Sequence, residues 1–229
     1  LPQVQLDLME AMAESGKPVV LCLMAGSDID LSYAEEHFDA VMVLWYPGAE
    51  GGKAAARVLF GDVSPSGKLP VTFYNTLEEL PDFTDYAMKG RTYRYMTENP
   101  LFPFGHGLSY TTFQYGNASL NTSEIKDGEQ VALTIPVSNT GKYDGEEVVQ
   151  VYLRHPGDKE GPSHALRAFK RVAIAKGATN NVTIPLSKEN FEWFDTSTNT
   201  MRPIEGDYEI LYGGTSELKQ LKSIPVTIK

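Results

Sequence analysis

The sequence predicts an α/β part with a mostly parallel sheet, followed by an all-β sandwich. Two observations predict this. Over residues 1 to 75, apolar runs of strand length alternate with helical repeats, and the order strand, helix, strand, helix, strand marks a parallel sheet with crossover helices. From about residue 113 onward the helical period disappears, and short alternating segments broken by Gly, Asn and Pro replace it. The 229 residues, 41% hydrophobic and 22% charged, suffice for one large or two small packed domains.

The first element is a helix on which Val4, Leu8 and Met12 repeat every four residues; Gly16 can end it in a left-handed cap and Pro18 prevents its continuation. "PVVLCLMA" (18–25) then reads as a strand buried on both faces. Ser32 with Glu35 fits a capping box for the short helix "SYAEEHF", and "AVMVLWY" (40–46) is a second buried strand. A third helix runs from Gly51 to Phe60 and stops at Gly61, after which "SPSG" turns into the strand "KLPVTFY" (68–74). Residues 76–112 are strand-poor and rich in aromatics. A structureless loop of that length is unusual, so the segment is expected to lie over a surface.

In the last part Val131, Leu133, Ile135 and Val137 alternate with small or polar residues, as do Val149, Val151 and Leu153. "ALRAFKRVAIA", "NVTIPL" and "GDYEILYG" follow, a pattern that makes a β-sandwich of immunoglobulin or fibronectin type. The expected division is 1–75, an α/β part; 76–112, an interdomain loop; and 113–229, the sandwich. The sandwich is expected to fold by itself, and the front piece, with strands apolar on both faces, is not.

Net charge is −10 at pH 7 with no cluster of five Lys or Arg, which speaks against nucleic acid and anionic membrane as partners and for a neutral substrate. No stretch approaches the roughly 18–20 apolar residues of a membrane span. The chain begins without Met and almost directly in a helix, so residue 1 reads as a cut within a longer protein. The single Cys22 lies in an apolar run and reads as a small hydrophobe; one cysteine allows no internal disulfide. Sequons stand at Asn117, Asn121 and Asn181, a pattern that matters only on a eukaryotic secretory route.

"WYPGAEGGKAAAR" (45–57) invites comparison with a phosphate loop and fails it. The first glycine of G-x-x-x-x-G-K-[ST] falls on Pro47 and the hydroxyl position on Ala54. The glycines read instead as a tight strand-to-helix turn. Glu35 and Glu36 sit where carboxylates meet a helix dipole, and Asp28 and Asp30 flank a strand end where open α/β sheets bind ligands, although capping is the simpler role. Glu78, Glu79, Asp82 and Asp85 read as a solvated loop face. The four histidines, His37, His106, His155 and His164, lack metal-ligand spacing, so no metal and no cofactor is assigned. In "KGRTYRY", Arg91 and Arg94 interleave with Tyr93 and Tyr95, and guanidinium forks beside aromatic faces suit sugar stacking and carboxylate clamping. Arg91, Tyr93 and Arg94 are therefore the candidate substrate-binding residues, with interdomain docking as the favoured role.

"YPGAEGGKAAARVLFGDVSPSGKLPVTF", "GRTYRYMTENPLFPFGHGLSYTTFQY", "VSNTGKYDGEEVVQVYL" and "FKRVAIAKG" together resemble the C-terminal half of glycoside hydrolase family 3. That family includes β-glucosidases and β-xylosidases built from a barrel, an α/β sandwich domain and a fibronectin type III-like domain. "YRY" followed by "PLFPFG" is more similar to the xylosidase branch, and His106 replaces a tyrosine frequent in the family. The resemblance implies a retaining exo-β-glycosidase that uses two carboxylates and acts on an oligosaccharide or glycoside. It also implies that both carboxylates, an aspartate of the barrel and a glutamate on an α/β loop, lie upstream of Leu1. No catalytic residue is then expected in this chain, and the barrel and the remainder of the α/β domain become its partners. The alternative is a non-catalytic carbohydrate-binding or adhesive module, a common use of fibronectin-like sandwiches; a family-like α/β part argues against it.

Overall fold

The computed structural model of the chain describes residues 1–126 and 130–229. The front part carries helices α1 (Gln3–Ala13), α2 (Ser32–His37) and α3 (Gly51–Leu59) and strands β1 (Val20–Leu23) and β2 (Ala40–Val43). β1 and β2 run parallel, with Val20 opposite Ala40 and Leu23 opposite Val43. The expected mostly parallel sheet goes no further: among the described residues this sheet has two strands. The run 68–74 does not join it, but lies antiparallel against 101–106. Phe73 and Phe102 exchange backbone hydrogen bonds of 2.9 and 3.3 Å, Gly105 N–H donates to Leu69 O at 2.7 Å, and Leu69 N–H donates to His106 O at 2.8 Å. Pro70 and Pro103 each lack a ladder donor, which holds this pairing to an isolated bridge.

The anticipated capping box of α2 is also replaced. Ser32 is already helical, and the cap comes from Asp30, whose Oδ1 accepts from Ser32 N–H at 3.0 Å and from Ser32 Oγ–H at 2.5 Å. α3 starts where the glycine turn ends. A Cβ on Gly51 would stand 2.5 Å from the Pro47 ring, so the glycine serves close packing at the helix start. Leu23, Leu31 and Phe73 form the front core, with Trp45 and Phe102 packed edge-on to Phe73 at 6.3 and 6.2 Å between ring centres. The predicted stripe of α1 faces away from this core: Val4 is 74% and Leu8 60% exposed, and within the helix it is Met9 that is buried.

A one-turn helix α4 (Thr92–Tyr95) leads to the sandwich, which comprises β3 (Phe113–Tyr115), β4 (Ser119–Leu120), β5 (Glu124–Ile125), β6 (Val131–Asn139), β7 (Gly145–Arg154), β8 (Ala165–Ile174), β9 (Thr179–Leu186), β12 (Gly206–Gly213) and β13 (Lys222–Ile228). Between β9 and β12 lies a hairpin, β10 (Glu192–Asp195) and β11 (Thr200–Pro203). One sheet has the order β5-β13-β12-β7-β8; in the other, β6 pairs with β3, β4 and β9. The alternation read from the sequence is the core: Val131, Leu133, Ile135 and Val137 of β6 face Val149, Val151 and Leu153 of β7, all fully buried. Each such side chain contributes about 1.5–3 kcal/mol on leaving water. β7 differs from β6 in being covered on its second face too, since Gln150 and Tyr152 are buried like Val149 and Val151 beside them. Among the described residues no helix is long and apolar enough to cross a membrane.

Candidate functional site

The chemically dense region is the seam where 68–74, α4 and 101–107 meet β7 and the start of β8. Tyr93 is its centre. The α4 turn is hung from the front part by Thr92 N–H on Tyr74 Oη (2.8 Å) and Tyr93 N–H on Thr72 Oγ1 (3.1 Å). The Tyr93 ring then stacks on Phe104 at 4.8 Å and meets Tyr152 and His164 edge-on at 5.8 and 5.1 Å. Its Oη accepts from Leu166 N–H of β8 at 3.0 Å. Burial raises the Tyr93 phenol above its ordinary value, so it remains a neutral hydroxyl.

Beside it, Gln150 Nε2 donates to Gly105 O (3.1 Å) and Gly214 O (2.7 Å), while its Oε1 accepts from Tyr152 Oη–H (2.5 Å). His164 is held by both ring nitrogens: Nε2–H donates to Ser216 O at 2.8 Å and Nδ1 accepts from Ser163 Oγ–H at 2.9 Å. Burial pushes its imidazole down to about 4. At the far end Lys68 Nζ pairs with Glu147 Oε1 at 3.2 Å and donates to Gly107 O at 3.0 Å. Burial raises the Glu147 carboxyl, and the Lys68 charge works against that rise.

The three candidate substrate-binding residues diverge in space. Tyr93 enters the seam. Arg91 folds back on its own loop, with Nε on Ala87 O (3.1 Å) and one Nη on Asp85 O (2.7 Å) and Asp82 O (3.3 Å). Arg94 Nε is buried without a hydrogen-bond partner, and the guanidinium lies 5.7 Å from the Tyr95 ring centre. The acidic candidates mostly serve local backbone: Glu79 caps Asn75 N–H at 3.0 Å, and Asp82 and Asp85 accept from Thr84 and Ala87 N–H, each at 2.8 Å. Glu35 and Glu36 lie on α2, and Asp28 precedes it. His37 stacks on Tyr33, His106 on Phe102 and His155 on Tyr208; among the described residues no three His, Cys, Asp or Glu side chains gather as a metal site. Cys22 is a free, half-buried thiol. The hydrogen bonds of the seam and its Lys68–Glu147 pair tie the front part to β7 and β8.

Lys68, Glu147 and Gln150 were not singled out in the sequence, and His164 was weighed there only as a metal ligand. The signal was the run "VVQVYL", where a polar residue interrupts an apolar strand whose neighbours admit no exposed face.

Comparison with known proteins fits this layout. A family model described as the glycosyl hydrolase family 3 C-terminal domain matches residues 1–110, and one described as a fibronectin type III-like domain matches 147–216. A xylan 1,4-β-xylosidase of Xylanibacter ruminicola is 48% identical over 228 residues, all of this chain and 26% of that protein. The chain belongs to glycoside hydrolase family 3. A periplasmic β-glucosidase of Salmonella typhimurium, another relative, is 36% identical over 85% of this chain and 27% of that protein. Among solved structures, a β-glucosidase of Listeria innocua in complex with glucose superposes over 100% of this chain and 33% of its own, with a TM-score of 0.84 and 30% identity. The family 3 chain thus spans about a quarter to a third of these relatives.

Proposed function

We propose that this chain is the C-terminal, structural part of a retaining exo-β-glycosidase that removes terminal non-reducing β-linked sugars from oligosaccharides or glycosides. The observation that carries the reading is the 48% identity, over the whole chain, to a protein named xylan 1,4-β-xylosidase. A β-xyloside is accordingly the first substrate to try and a β-glucoside the second. The nucleophile and the acid/base belong to a barrel and to the remainder of the α/β domain, outside this sequence, and the chain needs no cofactor.

Local physics supports the reading. β1 and β2 leave edges and faces that the described residues do not cover, and α1 presents Val4 and Leu8 to solvent. Further strands beside this parallel pair, and a domain against α1, would bury both. The division into 1–75, 76–112 and 113–229 belongs to the same proposal, with the middle segment as the strap that fastens the sandwich. Tyr93, Arg91 and Arg94 then act in docking ahead of any part in the substrate pocket, since Tyr93 sits on β8 and Arg91 grips its own loop.

The test is hydrolysis of aryl β-xylosides and β-glucosides by the whole protein, with the anomer of the first-formed sugar read by NMR. Release of the β-anomer supports the reading; first release of the α-anomer, or no turnover of either substrate, refutes it.

A further inference from the structure

Arg94 and Arg167 stand on two segments that hydrogen bonds hold together at the start of β8. Arg167 is the extra residue of a β-bulge: β7 and β8 pair Val151 with Ala168 and then Tyr152 with Leu166, so the ladder skips Arg167. A bulge re-aims a side chain. Here it lays the guanidinium 5.5 Å from the Trp193 ring centre, with one Nη donating to Glu192 O at 2.6 Å. Arg94 belongs to the α4 turn. Its carbonyl accepts from Ser163 N–H at 2.7 Å and its neighbour Tyr93 accepts from Leu166 N–H, which pins the turn against the residues flanking Arg167.

Both Nε atoms are buried and lack a hydrogen-bond partner. Among the described residues neither guanidinium has a carboxylate within ion-pair distance. Stacking on Tyr95 and Trp193 engages the flat faces and leaves donors on the edges, because a guanidinium has five N–H groups and no acceptor. Burial, and after it the charge of Arg94, holds Arg167 below its usual basicity. Buried guanidinium donors without partners are unfavourable unless an anion joins them. A carboxylate is the planar, two-oxygen group that an arginine fork matches, and a groove of about 510 Å³ lined by Leu166 to Lys170, Ile184 and Pro185 opens next to Arg167.

We propose that Arg94 and Arg167 form a receptor for one carboxylate, entered at Arg167 from the groove along β8. The carboxylate comes either from a diffusible acid, such as a uronic acid on a substrate chain, or from an Asp or Glu of the protein outside these residues. The site is independent of the glycosidase reading, since ligand-dependent stability and not turnover reports it.

The experiment records melting temperature for this chain and for the whole protein while glucuronate replaces chloride at constant ionic strength, with glucose as the uncharged control. In this chain glucuronate should raise the melting temperature and glucose should not. Arg94→Lys and Arg167→Lys keep the charge and lose the fork, and each should weaken the apparent affinity about tenfold. A rise in the whole protein as well identifies a diffusible acid. A rise in this chain alone identifies a carboxylate of the protein, and the two Lys variants should then lower the melting temperature of the whole protein without ligand. No rise over chloride in this chain, or a rise untouched by both Lys substitutions, overturns the proposal.

Discussion

Replacing Lys68 with Met should destabilise the chain by an amount that grows with pH. Lys68 belongs to the run paired with 101–106 and Glu147 to β7, so their 3.2 Å contact spans the seam. Their side chains are 15% and 7% exposed, which places the pair largely out of water. Methionine retains the apolar stem and deletes the charge, leaving the Glu147 carboxylate with Val148 N–H at 2.9 Å as its near donor. Removing one partner of a buried ion pair costs about 3–5 kcal/mol. The residual exposure of Lys68, and the ability of Glu147 to take up a proton instead, set the expectation at about 3 kcal/mol, the low end of that range. The pH dependence follows from the sign of the shift. Burial raises the folded-state value of Glu147, so its contribution is fully present at acid pH and is lost as pH rises through that raised value. Without Lys68 the value rises further, so by the same linkage the cost of the substitution is small at acid pH, where Glu147 is protonated, and grows as pH rises through the raised value. Urea unfolding followed by tryptophan fluorescence across a pH series measures it. Lys68→Met with Glu147→Leu should recover most of the loss. A loss below about 0.5 kcal/mol that does not vary with pH would refute the reasoning.

Three further outcomes are expected. His164 is neutral in the folded chain, its value lowered from 6.5 to about 4, so stability is complete above 6.5 and falls as pH drops through that window. The loss is at most about 3 kcal/mol, and His164→Gln should flatten the pH profile of urea unfolding over this range. Gly105 has φ +77 and a Cβ there would collide with the Gln150 amide, so Gly105→Ala should lower stability by about 2 kcal/mol or more in a denaturant melt; an unchanged midpoint would contradict this. Arg91→Ala removes three hydrogen bonds to loop carbonyls and should reduce the stability of the whole protein by about 1 kcal/mol with KM unchanged, whereas a shifted KM with an unchanged melt would place Arg91 in the pocket.

The sandwich was readable because its core obeys a period of two: Val131 to Val137 alternate in sequence and in burial. The front sheet was overread. Three apolar runs suggested three parallel strands, but Pro70 and the aromatic partner Phe102 drew 68–74 into a pairing with a distant segment, and periodicity does not report such contacts. The capping box failed for a similar local reason, since Asp30 stands closer to the helix start than Glu35 and takes the Ser32 donors. At the seam, "GRTYRY" marked itself by composition, whereas the alternation of β7 made Gln150 look outward and gave no sign of a partner for Glu147. Their partners, Lys68 for Glu147 and Gly105 for Gln150, are distant in the sequence. A sandwich cut at Phe113 would forfeit Lys68 opposite Glu147 and the Gly105 carbonyl on Gln150, costs that the alternation of β7 does not display.

The central claim is that this chain organises a family 3 glycosidase without containing its catalytic carboxylates. Side-by-side assay of the 229-residue chain and the whole protein on an aryl β-xyloside tests it most directly. The account predicts turnover by the whole protein and none by the chain, because the loss of both carboxylates of the mechanism removes many orders of magnitude in rate. Turnover by the purified chain that vanishes when one of its own Asp or Glu residues is replaced would contradict it.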